Sequence, residues 1–176
     1  MRDERGLTLA ELLVALAALG LLLAGLLGLL DTGLVSYATG AARVDIQQGV
    51  RLALERMARE LREAGYDPTG AGIAPVVLAE PTRLVFQRDL NGNGLIDPTR
   101  ERVTFLLRGS VLRRDAGGGA QPVLAEVRRL AFSYRDRAHA PTTDPARVTL
   151  VRIELEAGPA GAVVTMATEA AVRNAP

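Results

Sequence analysis

Leu12 to Leu30 is a run of nineteen residues without a charge, set directly behind one acid, Glu11, and a polar leader, Met-Arg-Asp-Glu-Arg-Gly. As a helix this run is about 28 Å long, close to the thickness of a bilayer's hydrocarbon core. A cleaved secretory signal would place a small-residue cleavage site of the A-x-A type after the apolar stretch. None follows Leu30: the chain continues Asp31-Thr32-Gly33-Leu34 and stays compatible with helix. The one plausible processing point lies ahead of the apolar run, between Gly6 and Leu7.

The segment Arg5-Gly6-Leu7-Thr8-Leu9-Ala10-Glu11-Leu12-Leu13-Val14-Ala15-Leu16 resembles the start of a type IV prepilin or pseudopilin. The resemblance implies a leader, residues 1–6, removed by prepilin peptidase after Gly6. Leu7 then becomes the N-methylated terminus, in a place where Phe or Met is commoner. It also assigns Glu11 as the acid used in assembly. Physics gives Glu11 a reason to be there: an acid inside a membrane helix costs about 2.5–3.5 kcal/mol on insertion scales and usually has a partner or lies near the interface. Cleavage would create an α-amino group at Leu7, and between staggered helices of a filament the two charges can pair. A plainer reading puts Glu11 at headgroup level.

Arg2 and Arg5 precede the apolar run and the next basic residue is Arg43, so the positive-inside rule places the leader in the cytoplasm and the rest outside. The implied location is the inner membrane, single-pass, before transfer to a filament or the cell surface. Within the membrane half, residues 7–30, Ala10, Ala17, Ala24 and Asp31 repeat every seven positions, with Gly20 and Gly28 beside them. Small residues at such spacing allow close helix approach in lipid, but Ala and Gly are also common in any apolar helix.

The helix is expected to continue through residues 31–65, about 87 Å if unbroken from Leu7 to Ala64. Val50, Leu54, Met57, Leu61 and Ala64 form one apolar stripe, and Gly65 is the C-cap candidate. Arg51, Glu55, Arg56, Arg59, Glu60, Arg62 and Glu63 read as a solvated face of mixed sign. From Tyr66 the pattern turns to period two, with strands expected over 82–89, 101–108, 110–114, 129–135, 147–157 and 162–172. Gly117–Gly119 and Ala138–Pro145 read as loops. A long helix followed by strands is an α+β order: a pilin-like fold in which one antiparallel sheet of the domain 66–176 packs on residues 44–64. Glu60-Leu61-Arg62-Glu63-Ala64-Gly65-Tyr66, with Val148–Leu155 and Ala170-Ala171-Val172-Arg173-Asn174, resembles PilW-type minor pilins and the J-type minor pseudopilins of type II secretion.

Composition narrows the chemistry. The formal charge of +1 supplies no long-range field for nucleic acid, all 21 basic residues are Arg, and there is no Cys for thiol or disulfide chemistry. His139 is the single histidine, in a Pro/Thr loop, and Ser36, Ser110 and Ser133 lie in no nucleophile motif. No enzyme is expected. One segment has ion-binding spacing: Asp89, Asn91, Asn93 and Asp97 occupy positions 1, 3, 5 and 9 of a calcium loop with Gly94 at position 6. Position 12 is Arg100, and Glu101 comes one residue late. Asn-Gly and Asp-Pro also make ordinary hairpin turns, so calcium and a plain turn both remain open.

The reading that unites these features is a minor pilin or pseudopilin whose partners are the peptidase, the inner membrane and sister pilin subunits. A second reading, from another class, is a DNA-binding pilin of a competence system. It requires Arg108, Arg113, Arg114, Arg128 and Arg129 to meet in one basic patch. A third is an unprocessed membrane-anchored interaction protein.

Overall fold

The computed structural model describes residues 8–174; the expected cleavage and methylation positions, Gly6 and Leu7, lie outside the described residues. The first element is helix α1, Leu9–Arg62, of 54 residues. Eight strands follow: β1 (Val76–Ala79), β2 (Arg83–Gln87), β3 (Arg102–Arg108), β4 (Val111–Asp115), β5 (Gln121–Leu124), β6 (Val127–Arg135), β7 (Leu150–Ala157) and β8 (Val164–Ala171). A 3-10 turn, Pro145–Arg147, precedes β7. The chain divides into two units, Met1–Ala41 and Ala42–Pro176.

In the described part of the first unit no residue is buried: every position from Thr8 to Ala41 is exposed. Two threonine hydroxyls of this segment bond back to the helix itself. The Thr32 hydroxyl donates to the Gly28 carbonyl and that of Thr39 to the Val35 carbonyl, each at 2.9 Å. Such i−4 bonding pairs each hydroxyl with a carbonyl of the preceding turn.

The second unit is α+β and has a core. Val50, Met57, Leu61 and Ala64 are fully buried and Leu54 is 4% exposed, so the stripe read from spacing is the packed face. Each large side chain buried in this way contributes about 1.5–3 kcal/mol. The stripe shares one buried cluster with Leu84, Phe86, Val103, Phe105 and Leu112 from β2–β4, and with Leu130, Phe132, Val151, Ile153 and Leu155 from β6 and β7. Period two holds where the strands are long: Leu130, Phe132 and Tyr134 point inward together, as do Val151, Ile153 and Leu155.

One expectation is corrected. The strands form two antiparallel sheets, β1-β2-β3-β4-β5 and β6-β7-β8, in place of a single one. The break lies between β5 and β6, where Glu126 adopts a left-handed φ of 56° and turns the chain out of the first sheet. Among the described residues, isolated bonds bridge the edge of β6 to the other sheet's loops, two of them from the Val127 N–H to the Ser110 carbonyl (2.9 Å) and from the Phe132 N–H to the Pro81 carbonyl (2.7 Å). The Tyr134 hydroxyl adds a third, 2.6 Å to the Glu80 carbonyl; burial, with the Glu80 charge second, raises its pKa and keeps it a donor.

A second correction concerns Glu60. It is no part of a solvated face: it is 9% exposed, and its carboxylate accepts from Arg114 Nε at 2.8 Å and Arg56 Nε at 3.1 Å. Standing three residues after Met57 on the helix, it borders the apolar stripe, so burial reaches it and a cation from β4 meets it.

Gly65 ends the helical segment with a left-handed φ of +72°. A Cβ there would lie 2.6 Å from Pro75 Cγ, so only glycine fits both the turn and the space. The Gly65 N–H donates to the Gln87 carbonyl at 2.8 Å, and Asn174 Nδ2 donates to the Ala64 carbonyl at 3.1 Å. Two segments singled out in the sequence, 60–66 and 170–174, therefore meet at the end of α1.

Candidate functional site

The N-terminal end of α1 begins with Thr8, and the spacing Thr8-Leu9-Ala10-Glu11 is that of a capping box. The Glu11 carboxylate accepts from the Thr8 N–H at 2.9 Å and from the Thr8 hydroxyl at 2.8 Å. The Thr8 hydroxyl in turn accepts from the Glu11 N–H at 3.3 Å. Glu11 thus closes the first turn of its own helix and satisfies donors that the helix start leaves orphaned. The T-x-x-E pattern was available in the sequence and gives this acid a local role that the insertion-cost argument did not anticipate.

Beyond Glu11 the helix offers side chains without a polar interruption until Asp31. Leu12, Leu16, Leu19, Leu23 and Leu26 are between 51% and 63% exposed. Leu13, Leu22, Leu27 and Leu29, on other faces, are between 59% and 74% exposed. A helix apolar all round has no water-facing side and needs lipid or other helices about it. It is long and apolar enough to cross a membrane, and none of its most apolar window is buried. The small residues of this helix stay uncovered: Ala10, Ala17 and Ala24 are exposed, and a Cβ added at Gly20 or Gly28, beside them, would meet nothing within 4 Å.

The Asp89–Asp97 loop joins β2 to β3, and its side-chain oxygens are turned onto the loop's own backbone. Asp89, fully buried, accepts from the N–H groups of Gly92 (2.7 Å), Asn93 (3.3 Å) and Gly94 (2.8 Å). Glu101, 2% exposed, accepts from Leu90 and Asn91 through Oε1 and from Asp97 through Oε2, the last at 2.8 Å. Asn91 and Asn93 accept from the N–H groups two residues ahead, and Asp97 takes both the N–H and the hydroxyl of Thr99. Those Thr99 donors hold the Asp97 carboxyl below the usual carboxylate range. Among the described residues no three His, Asp or Glu side chains converge as a metal-binding group.

Asp67, not singled out by sequence, plays the same part in the loop after α1. It accepts from Gly72 N–H at 2.8 Å, Ile73 N–H at 3.2 Å and the Thr69 hydroxyl at 3.0 Å. Desolvation pushes its carboxyl up, but the backbone donors of Ile73, Ala71 and Gly72 with the Thr69 hydroxyl outweigh it and hold the group at about 2.

The arginines required for a nucleic-acid stripe are largely engaged. Arg114 is held by Glu60, Arg113 Nη1 donates to the Ala120 carbonyl (2.8 Å), Arg128 Nε donates to the Gly158 carbonyl (2.7 Å), and Arg129 lies 3.6 Å from Glu154. His139 is exposed in its loop with a left-handed φ of 60°.

Residues 1–27 match the family model described as the prokaryotic N-terminal methylation motif. The N-terminus is type IV prepilin-like. The match covers residues 1–6, Leu7, Glu11 and most of the uncharged run, and stops well short of the second unit. No curated protein matches the chain.

Proposed function

We propose that this chain is a minor pilin or pseudopilin, a structural subunit of a type IV pilus-like filament or its tip. Prepilin peptidase cuts it between Gly6 and Leu7, Leu7 is methylated, and the apolar helix holds the subunit in the inner membrane with residues beyond Leu30 outside the cytoplasm. Extraction then exchanges lipid contacts for contacts with the helices of sister subunits. The observation that carries this reading is the methylation motif over residues 1–27 joined to a helix whose apolar side chains are exposed on every side. The same motif supports a structural role for the subunit in preference to an enzymatic one.

Glu11 in this account has two successive partners. In the single chain it caps α1 through Thr8; in the filament it pairs with the α-amino group of another subunit's Leu7. The two roles separate by substitution. Thr8→Ala removes the capping box and leaves the carboxylate, whereas Glu11→Ala removes both. In cells, Glu11→Ala should insert into the membrane and be absent from sheared filaments, while Thr8→Ala should still enter them. Equal incorporation of Glu11→Ala and wild-type chains would reduce Glu11 to a cap.

A further inference from the structure

A cavity of about 380 Å³ opens where the end of α1, the end of β2 and the C-terminal segment meet. Arg62, Arg88 and Arg173 line it, with Glu63 as the one acid, so the lining carries three cations against one anion. Arg88 is only 9% exposed; one nitrogen, Nη1, pairs with Glu63, and its buried Nε has no partner. Its chain neighbour Asp89 gives no relief, because that carboxylate is occupied by the N–H groups of its own loop. Arg62 and Arg173 are exposed and form no ion pair with a described residue. Around the mouth, Tyr66 is 48% and Leu90 54% exposed.

A surplus of guanidinium groups in a partly enclosed site favours an oxyanion, and the planar fork of arginine suits a carboxylate. Exposed Tyr and Leu beside Arg give the site an apolar rim suited to a side chain with a hydrocarbon stem more than to a free ion. Buried Arg and Tyr are also the residue types that dominate protein interfaces. We infer that this cavity receives the carboxylate of an Asp or Glu side chain presented by a neighbouring subunit, making it a contact between globular domains in the assembled filament. The inference rests on the pilin reading. The partner's acid would neutralise Arg62 and Arg173 and complete the solvation that Glu63 alone gives Arg88.

The test uses the full chain in cells, with the photo-reactive residue benzoylphenylalanine in place of Leu90 at the cavity mouth, and separately in place of Leu26 in the apolar helix. Irradiated filaments should yield a position-90 adduct whose partner peptide comes from a sister subunit and contains Asp or Glu. The double variant Arg62→Gln/Arg173→Gln should lower that adduct about tenfold or more. It should leave the position-26 adducts and the melting temperature unchanged, because neither arginine forms an ion pair with a described residue. Persistence of the position-90 adduct in the double variant would overturn the inference. So would its absence, or its formation with lipid or a non-subunit protein, when position 26 still cross-links to subunits. Loss of subunit adducts at both positions in the wild-type background would sink the pilin reading itself, and this inference with it.

Discussion

The apolar residues of residues 8–41 and those of the second unit meet opposite fates. Leu19, Leu23 and Leu26 are more than half exposed, whereas Leu54, Met57 and Leu61 are buried, although all six lie on the same helix. The difference is one of pattern. From residue 50 onward the apolar positions occupy one stripe and charges fill the rest, which suits a helix lying on a core. Before residue 31 the apolar positions surround the axis, and no single packed face can cover them. The first segment therefore depends on surroundings outside the chain, while the second brings its own sheets.

The change that should break this comparison most completely is at the leader. Gly6→Trp should leave a membrane-inserted precursor that never enters filaments, read by immunoblotting of membranes and of sheared filaments. Next come core truncations. Met57→Ala should destabilise the folded unit by about 2–5 kcal/mol, whereas Leu19→Ala should leave its denaturation midpoint unchanged, both measured on the full chain in detergent. Equal losses at the two positions would contradict the division. Glu60→Ala strands Arg114, whose side chain is only 19% exposed, and should cost about 1–3 kcal/mol; adding Arg114→Leu should recover part of the loss.

A smaller effect is expected at Asp67. Its folded value of about 2 lies below the usual Asp value, so its contribution is fully present above about pH 4 and is lost as the pH falls through 2. Asp67→Asn should melt below wild type at neutral pH, and the gap should close on acidification from 4 to 2. The smallest effect is proposed for calcium. Since Asp89 and Glu101 already have N–H partners within their loop, melts in calcium and in chelator should coincide. A calcium-dependent rise would decide for the ion over the plain turn. At 100 times the dissociation constant, linkage would give about 2.7 kcal/mol.

How much of this was legible depended on the length of each signal. The helix, its stripe and its end at Gly65 rest on periodicity over many turns and on a residue type that fits a left-handed turn, and all appear in the structure. The longer strands showed their alternation. The four-residue strands β1 and β5 did not, being too short to establish a period, and β5 carries Pro122. Without them, the eight strands could not be sorted into two sheets. At the candidate site, Glu11 is conspicuous as a charge, while its capping partner Thr8 is marked only by the short T-x-x-E spacing. The cavity among Arg62, Arg88 and Arg173 was invisible, because positions 62, 88 and 173 meet only through tertiary structure.

The central claim is that the first segment is a processed assembly helix, and the most direct measurement is the intact mass of the native chain extracted from membranes and filaments. The account predicts a single mature species that lacks residues 1–6 and begins at methylated Leu7. A chain of full mass beginning at Met1, in filament-producing cells whose other pilins are processed, would contradict it.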